Sequence, residues 1–338
     1  MMRSSPTSRV LSGAMTRLAL LFLALAACTG VHSNPGQQDA APDMPGSDAP
    51  PDMPDPKTPH HYIMASQNVP TTQIEARDNG LDLNGDDQVD NQLGAVMATF
   101  TGQGFDVAGF ATRAVDHGDT LMLIDFESDG FQSGASTFTL FAGTNPRPPA
   151  CEGGSDTVCR HHLDGAGLFD VVAGAPRDTP LAGAMVNGRV TTDAGDANRL
   201  HLQVALATTA PFVMPLLGAR VRVTGPSDGG ITSGVVAGGL AKSDINGILL
   251  PAWQQSMTTI MQQGCTGTPP TCGCPAGSQA KVLHDLFDTT PNDCAISLSE
   301  LQSNSLIQSL LAPDVTIDGQ QAVSVGIGFT AVSGTFTP

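Results

Sequence analysis

Residues 323–331 read Val323-Ser-Val325-Gly-Ile327-Gly-Phe329-Thr-Ala331. Every second side chain is apolar and those between are small or polar, which is the period of a strand with one buried face. The same alternation recurs at Leu200, Leu202, Val204 and Leu206, set against His201, Gln203 and Ala205. It recurs again at Val221 and Val223, set against Arg220, Arg222 and Thr224. Residues 120–126 (TLMLIDF) are nearly all apolar and suit a strand covered on both faces. Gly and Pro clusters punctuate the region, as in a sandwich or barrel.

Helical signals interrupt this pattern near residue 240. Ser243 or Asp244 is placed to cap a helix, and Pro251 to kink it or restart it at a first-turn position. Residues 278–287 (SQAKVLHDLF) carry Val282, Leu283, Leu286 and Phe287 on one side. Ser297-Leu-Ser-Glu300 is a capping box, followed by Leu301, Leu306, Ile307, Leu310 and Leu311 until Pro313 stops the helix. Strands, then helices, then one returning strand predict an α+β fold. The expected parts are a β-rich domain at 62–238, a small helical subdomain at 239–312 and a returning strand at 313–338.

The chain has 338 residues, with 32 acidic against 15 basic side chains. Arg3, Arg9 and Arg17 fall in the first 27 residues, which hold no acid, so the remainder is more negative still. Only Lys57, Lys242 and Lys281 are lysines. This balance argues strongly against a nucleic-acid partner, because phosphate binding runs on clustered Lys and Arg. No internal stretch reaches 18 apolar residues, which excludes a polytopic bundle of membrane helices. With 38 Gly and 25 Pro the chain reads as turn-rich and exported.

Residues 1–27 read as an export signal: three arginines precede Leu18 to Ala27 (LALLFLALAA), an apolar run too short to span a bilayer. It ends Leu25-Ala26-Ala27-Cys28, which resembles the lipobox of bacterial lipoproteins; the resemblance covers residues 15–28. It implies cleavage before Cys28 and acylation of that cysteine, and several acyl chains make a stable membrane anchor. Thr29 follows the cysteine, where the resemblance implies that Asp would favour inner-membrane retention, so delivery to the outer membrane or cell surface of the envelope is expected. Residues 28–61 are rich in Pro and Asp, repeat PDMP at 42–45 and 51–54, and show no apolar period. They predict an extended tether ending in solvated His60-His61.

Six further cysteines in an exported chain predict three disulfides. Cys151 and Cys159 close a small loop. Cys272 and Cys274 are one residue apart, so one of them is expected to bond Cys265 and the other Cys294. A zinc site made by all four is the alternative.

Asp82-Leu-Asn84-Gly-Asp86-Asp-Gln88-Val-Asp90 places oxygen side chains at positions 1, 3, 5 and 9 of a loop. It resembles the EF-hand and dockerin-type calcium loop, in which alternate residues turn hard oxygens onto a hard cation. The resemblance implies ligation by Asp82, Asn84, Asp86 and Asp90, by the carbonyl of Gln88, and packing of Val89 on a neighbour. Two positions depart from it: Asp87 replaces the turn glycine and Leu93 the bidentate acid. A helix from Asn91 through Phe100 is expected to follow. A second, degenerate loop, Asp288 to Glu300 (DTTPNDCAISLSE), lies between two expected helices, with Asp288, Thr290, Asn292 or Asp293, and Glu300 as donors and Ile296 in the apolar position. It is one residue too long and contains Pro291 and Cys294. Asp314 and Asp318-Gly319 read as a hairpin turn.

Enzyme signals are weak. Gly225-Pro-Ser227-Asp-Gly229 has the G-x-S-x-G pattern, but turn chemistry follows it where a nucleophile elbow needs a helix. Asp116-His117, His161-His162 and Asp164 lack metal-protease spacing. Trp253 and Tyr62 are the only Trp and Tyr, and Trp253 sits in an apolar helix, which argues against a sugar-stacking module. The expectation is a lipid-anchored envelope protein that binds calcium structurally, with a structural or adhesive role toward a protein partner and no catalysis. An exported hydrolase with a dispersed active site is the alternative, and a cleft gathering His117, His161, His162 or His201 with acids is its signature.

Overall fold

The computed structural model describes residues 57–206, 210–267, 271–289 and 291–338; the expected signal peptide, Cys28 and most of the tether lie outside them, as does Thr290. The first half of the described chain runs β1 (Thr58–Asn68), α1 (Gln73–Asp78), α2 (Gln92–Gly102), α3 (Val107–Asp116), β2 (Met122–Ser128), β3 (Ser133–Arg147) and β4 (Gly167–Val171). Strands β5 (Leu181–Val186), β6 (Arg189–Thr192), β7 (Arg199–Val204), β8 (Phe212–Ser227) and β9 (Gly230–Ala241) follow. Then come α4 (Lys242–Asp244), a π-helical turn (Ile245–Leu249), α5 (Leu250–Gly264), α6 (Gln279–Phe287), α7 (Leu298–Ser303), α8 (Ser305–Leu310), β10 (Val315–Ile317) and β11 (Gln320–Thr335).

Eight strands form a closed antiparallel ring. β1 pairs β2, β2 pairs β3, β3 pairs β5 and β5 pairs β6. β6 pairs β8, β8 pairs β9, β9 pairs β11, and β11 returns to β1. β7 continues the wall beside β8 where β6 has ended, and β10 lies along the start of β11. The expected β-rich α+β class is met as a barrel, and closure leaves the ring strands without a free edge along their paired lengths.

Register explains why the strands alternate. Tyr62 lies opposite Ile124, Phe126 opposite Phe138, and Phe138 opposite Leu181. Met185 faces Val190, which faces Val223; Val221 faces Val236, which faces Ile327. All of these are buried in one apolar cluster that continues into Leu93, Val96, Met97 and Phe100 of α2 and Trp253 of α5. Phe329 reaches across to Gly234, its register partner, whose added Cβ would stand 2.2 Å from the ring. The outward side of β1–β3 is covered too: Ile63, Leu123 and Phe141 pack with Phe169 and Phe336. This accounts for the continuous apolar run at 120–126.

Several boundaries move. β1 begins at Thr58, so His60 and His61 belong to the barrel and not to the tether: His60 packs on Phe131 at 4.4 Å and His61 stacks on Phe336 at 4.5 Å. The expected boundary at 238 falls inside β9, which runs to Ala241. Neither Ser243 nor Asp244 caps the next helix; Ala241 takes that place without a side-chain bond, and Pro251 stands in the first turn of α5 as expected. The helix expected after Glu300 is two: Asn304 breaks it and its side chain accepts from Leu306 and Ile307, capping α8. No helix among the described residues is long and apolar enough to cross a membrane.

Candidate metal centre

The 82–90 loop joins α1 to α2 on the outer wall of the barrel. Leu81 packs against Val235 and Ala237 of β9, and Leu83 packs there and against the cluster of Val315, Ile317 and Ala322. A short bridge between Leu81 and Asp90 closes the loop's base. Arg222 donates to the carbonyl of Asp78 at 2.8 Å, and Arg220 donates to that of Asp82. Val89 lies over Gly80, where an added Cβ would stand 2.3 Å from its Cγ1, but it stays 49% exposed, and Leu81 and Leu83 supply the main apolar anchor.

Inside the loop the carboxylates turn back onto the chain. Asp82 accepts from the N–H of Gly85 at 2.6 Å and of Asp87 at 3.1 Å. Asn84 Oδ1 accepts from Asp86 N–H at 3.0 Å, and Asp86 accepts from Gln88 N–H at 2.8 Å. The N–H groups hold the Asp82 carboxyl below its ordinary range. Asp87 adopts φ 63°, so it makes the left-handed turn that glycine makes at this position of the calcium loop it resembles. Asp90 is 9% exposed and accepts from Leu83 N–H at 2.7 Å. Its carboxyl is pushed up by burial first, then by the charges of Asp314, Asp86 and Asp82.

Asp82, Asn84 and Asp86 therefore share one exposed loop, and Asp90 stands at its base. Asp82, Asp86 and Asp90 do not bring three carboxylate oxygens within 4.8 Å of one another. The donor set is all oxygen, as a hard cation requires, and an ion here would draw the carboxylates inward. Asp314, read from the sequence as part of a hairpin, lines a 250 Å³ cleft with Asp90, Asn91, Gln92 and Arg77. It is the acidic neighbour that sequence reasoning left outside the loop. Asp318 and Gly319 do form the hairpin turn, both at positive φ.

The second loop is wound alike at its start. Asp288 accepts from Asp293 and Cys294 N–H groups at 3.2 and 3.0 Å, and Asp293 from Ala295 at 3.1 Å. Ile296 fills the apolar position, fully buried, with its N–H bound by the Thr258 hydroxyl at 3.1 Å. Of the other expected donors, Glu300 and Asn292 are engaged. Glu300 accepts from Thr289 N–H at 2.9 Å and closes the capping box with Ser297. Asn292 Oδ1 meets His284 Nε2 at 3.2 Å.

Three disulfides are formed: Cys151–Cys159, Cys265–Cys274 and Cys272–Cys294. Ser227 is the last residue of β8, paired with Gly230 at the start of β9, and Tyr62 donates to its carbonyl at 2.9 Å. Trp253 is buried, edge-on to Phe100. His161 pairs with Asp156 at 2.9 Å and His201 with Asp178 at 2.6 Å. His162 is fully buried against Phe169, and His117 stands beside the Cys151–Cys159 bond. A cleft of about 540 Å³ between the π-helical turn, α7, α8 and β11 is lined by Lys242, Asn246, Gln302, Gln308 and Gln321 over apolar residues, with no histidine or acid.

No protein-family model, curated protein or solved structure matches the chain.

Proposed function

We propose that this is a lipid-anchored protein of the bacterial envelope, held to the outer membrane or cell surface through Cys28. Its barrel carries one structural calcium ion in the 82–90 loop, and its role is structural or adhesive, without catalysis. The observation that supports calcium most is the loop's winding. Asp82, Asn84 and Asp86 turn alternate oxygens onto the turn, Asp87 supplies the left-handed bend, and Asp90 is a buried carboxylate facing three other acids. A divalent cation would neutralise that repulsion. The 288–300 loop is its degenerate counterpart, in which Asn292 and Glu300 keep partners of their own and a disulfide supplies the brace. The anchor reading rests on residues 15–28 of the sequence, and the small number of Lys and Arg side chains supports a partner other than nucleic acid.

Extracellular calcium modules bind at about 10⁻⁴ to 10⁻³ M. At a hundredfold excess of ion over the dissociation constant the stabilisation is about 2.7 kcal/mol. Calorimetric titration of the purified protein with millimolar calcium should show one site, and a chelator should lower the melting midpoint. Asp82→Ala with Asp86→Ala should remove most of that difference. Zero heat with an unmoved melting curve defeats the calcium reading. Cys28→Ser should abolish labelling by a radioactive fatty acid; retained labelling defeats the anchor.

A further inference from the structure

The cleft of about 540 Å³ beside the start of β11 opens where β9 passes into helix. Lys242 is the first residue after β9, and Asn246 stands four positions on, in the π-helical turn Ile245–Leu249; both line the cleft. Such turns are rare and occur frequently at functional sites. The facing wall is α7 and α8, fastened at two points. Gln308 Nε2 donates to the carbonyl of Gln302 at 2.9 Å, and Gln92 of α2 donates to the carbonyl of Leu310 at 3.0 Å. The floor is apolar and buried, made by Leu250, Ile307, Leu311 and Val323. A fixed, apolar-floored cleft of this size with a few polar groups at its rim is the ordinary form of a ligand site.

Its charge runs against that of the rest of the chain. With 32 acidic against 15 basic side chains overall, the cleft is lined by one cation and no acid. That cation, Lys242, is exposed and makes no ion pair among the described residues. Around it stand the carboxamides of Asn246, Gln302, Gln308 and Gln321. Each offers an N–H donor and a carbonyl acceptor, the same pair that a peptide bond offers.

This inventory selects among ligands. A fatty acid would cover the floor and reach Lys242, but it would leave the carboxamides desolvated without partners. No aromatic side chain lines the cleft to stack a sugar or a base, and a polyanion would need more than one cation. A peptide satisfies all three parts: apolar side chains on the floor, backbone against the carboxamides, and a terminal carboxylate on the lysine. A free short peptide also carries an ammonium group, which no acid is there to receive; the tail of a longer chain carries none at that point.

We propose that this cleft binds the apolar C-terminal tail of a partner protein, with Lys242 pairing with the tail's carboxylate. The proposal names the partner chemistry that the structural or adhesive reading leaves open, and it rests on that reading only for the existence of a protein partner. The cleft shares no lining residue with the cleft of Asp90 and Asp314, so a failed calcium titration and a failed peptide test are separate results.

The test uses the purified, oxidised protein in equilibrium dialysis against tetrapeptides randomised over Ala, Val, Leu and Ser, with each compartment quantified by mass spectrometry. One library is acetylated with a free carboxylate, one is acetylated and amidated, and one has both termini free; dodecanoate is dialysed in parallel. Acetylated peptides with a free carboxylate should accumulate on the protein side, and their amides should bind about tenfold more weakly, the loss of one charge-assisted bond. Lys242→Ala should weaken the best resynthesised peptide by about the same factor. Ala312→Trp, an exposed position on the cleft's rim, should abolish its binding by filling the space. No accumulation overturns the proposal, as do equal retention of acids and amides, tighter binding of peptides with a free amine, or preference for dodecanoate. Undiminished binding in Lys242→Ala overturns it too, and because that side chain is exposed the variant stays informative if Ala312→Trp fails to fold.

Discussion

The amide of Asn91 grips Gly326 at both of its backbone polar groups: Nδ2 donates to the Gly326 carbonyl at 2.9 Å and Oδ1 accepts its N–H at 2.8 Å. The same side chain caps α2 through Gly94 N–H at 2.9 Å and donates to the carbonyl of Ala76 at 2.9 Å. Asn91 directly follows the 82–90 loop, so it ties that loop to α1, to α2 and to β11 together. Gly326 must be glycine for this to happen, since a Cβ there would lie 2.1 Å from the carbonyl oxygen of Asn79.

Asn91→Ala strips a helix cap and leaves buried backbone groups of β11 and α1 without partners. A lost cap costs about 1 kcal/mol and each unpaired buried group about 1–3 kcal/mol. The expected loss is about 3 kcal/mol or more, read as a lower urea midpoint with an unchanged slope. A midpoint within experimental scatter of the parent would show that the amide is not the tie described.

Asp90→Asn separates the two roles of the loop's base. The neutral amide can still accept from Leu83 N–H, yet it removes a buried charge that faces Asp314, Asp86 and Asp82. Without calcium the variant should melt higher than the parent. With calcium the order should invert, because the parent gains an ion that the variant holds poorly. Equal calcium shifts in both proteins would place the ion elsewhere.

Stability should fall on mild acidification, and His162 is one reason. Burial, with the charge of Arg160 adding to it, holds its imidazole below the ordinary value of 6.5. The unfolded chain then takes up a proton at a pH where the folded chain does not, so the contribution is complete above pH 6.5 and is lost as pH falls through the folded value. His60 is shifted the same way, again by burial first. His162→Phe should flatten the decline in melting midpoint just below pH 6.5, and an unchanged slope would remove His162 from the account.

Gly234 and Phe329 form a matched pair across β9 and β11. Gly234→Ala should cost about 1–3 kcal/mol by overpacking, and Phe329→Ala about 3–5 kcal/mol by emptying the space. In the double variant the alanine at 234 has no ring to strike, so its cost should shrink. Strict additivity in chemical denaturation would show that the two do not touch.

Much of this was legible residue by residue, because the physics there is local. Val323 to Ala331 and Leu200 to Val204 alternate because each has one face in the barrel, and Ser297 with Glu300 closes the box its spacing describes. That Cys272 and Cys274 take different partners follows from the strain of bridging them to each other, while the choice of Cys274 for Cys265 and Cys272 for Cys294 is settled only by the fold. What escaped is non-local. That β3 pairs β5 and β1 pairs β11 depends on residues far apart in the chain. His60 and His61 looked like tether because Pro and Asp surround them, yet their rings rest on Phe131 and Phe336, both distant in sequence. Asp314 gave no motif of its own, and only the folding of β10 against β11 carries it to Asp90.

The wall is completed by the pairing of β1 with β11, the earliest and the latest of its strands. Until β11 is in place, β1 and β9 each hold an unpaired edge, and both are filled by that one strand. Closure of the ring is therefore timed by the meeting of residues 328–333 with the Tyr62 segment, and a companion that shields that segment until then would prevent neighbouring copies from exchanging strands.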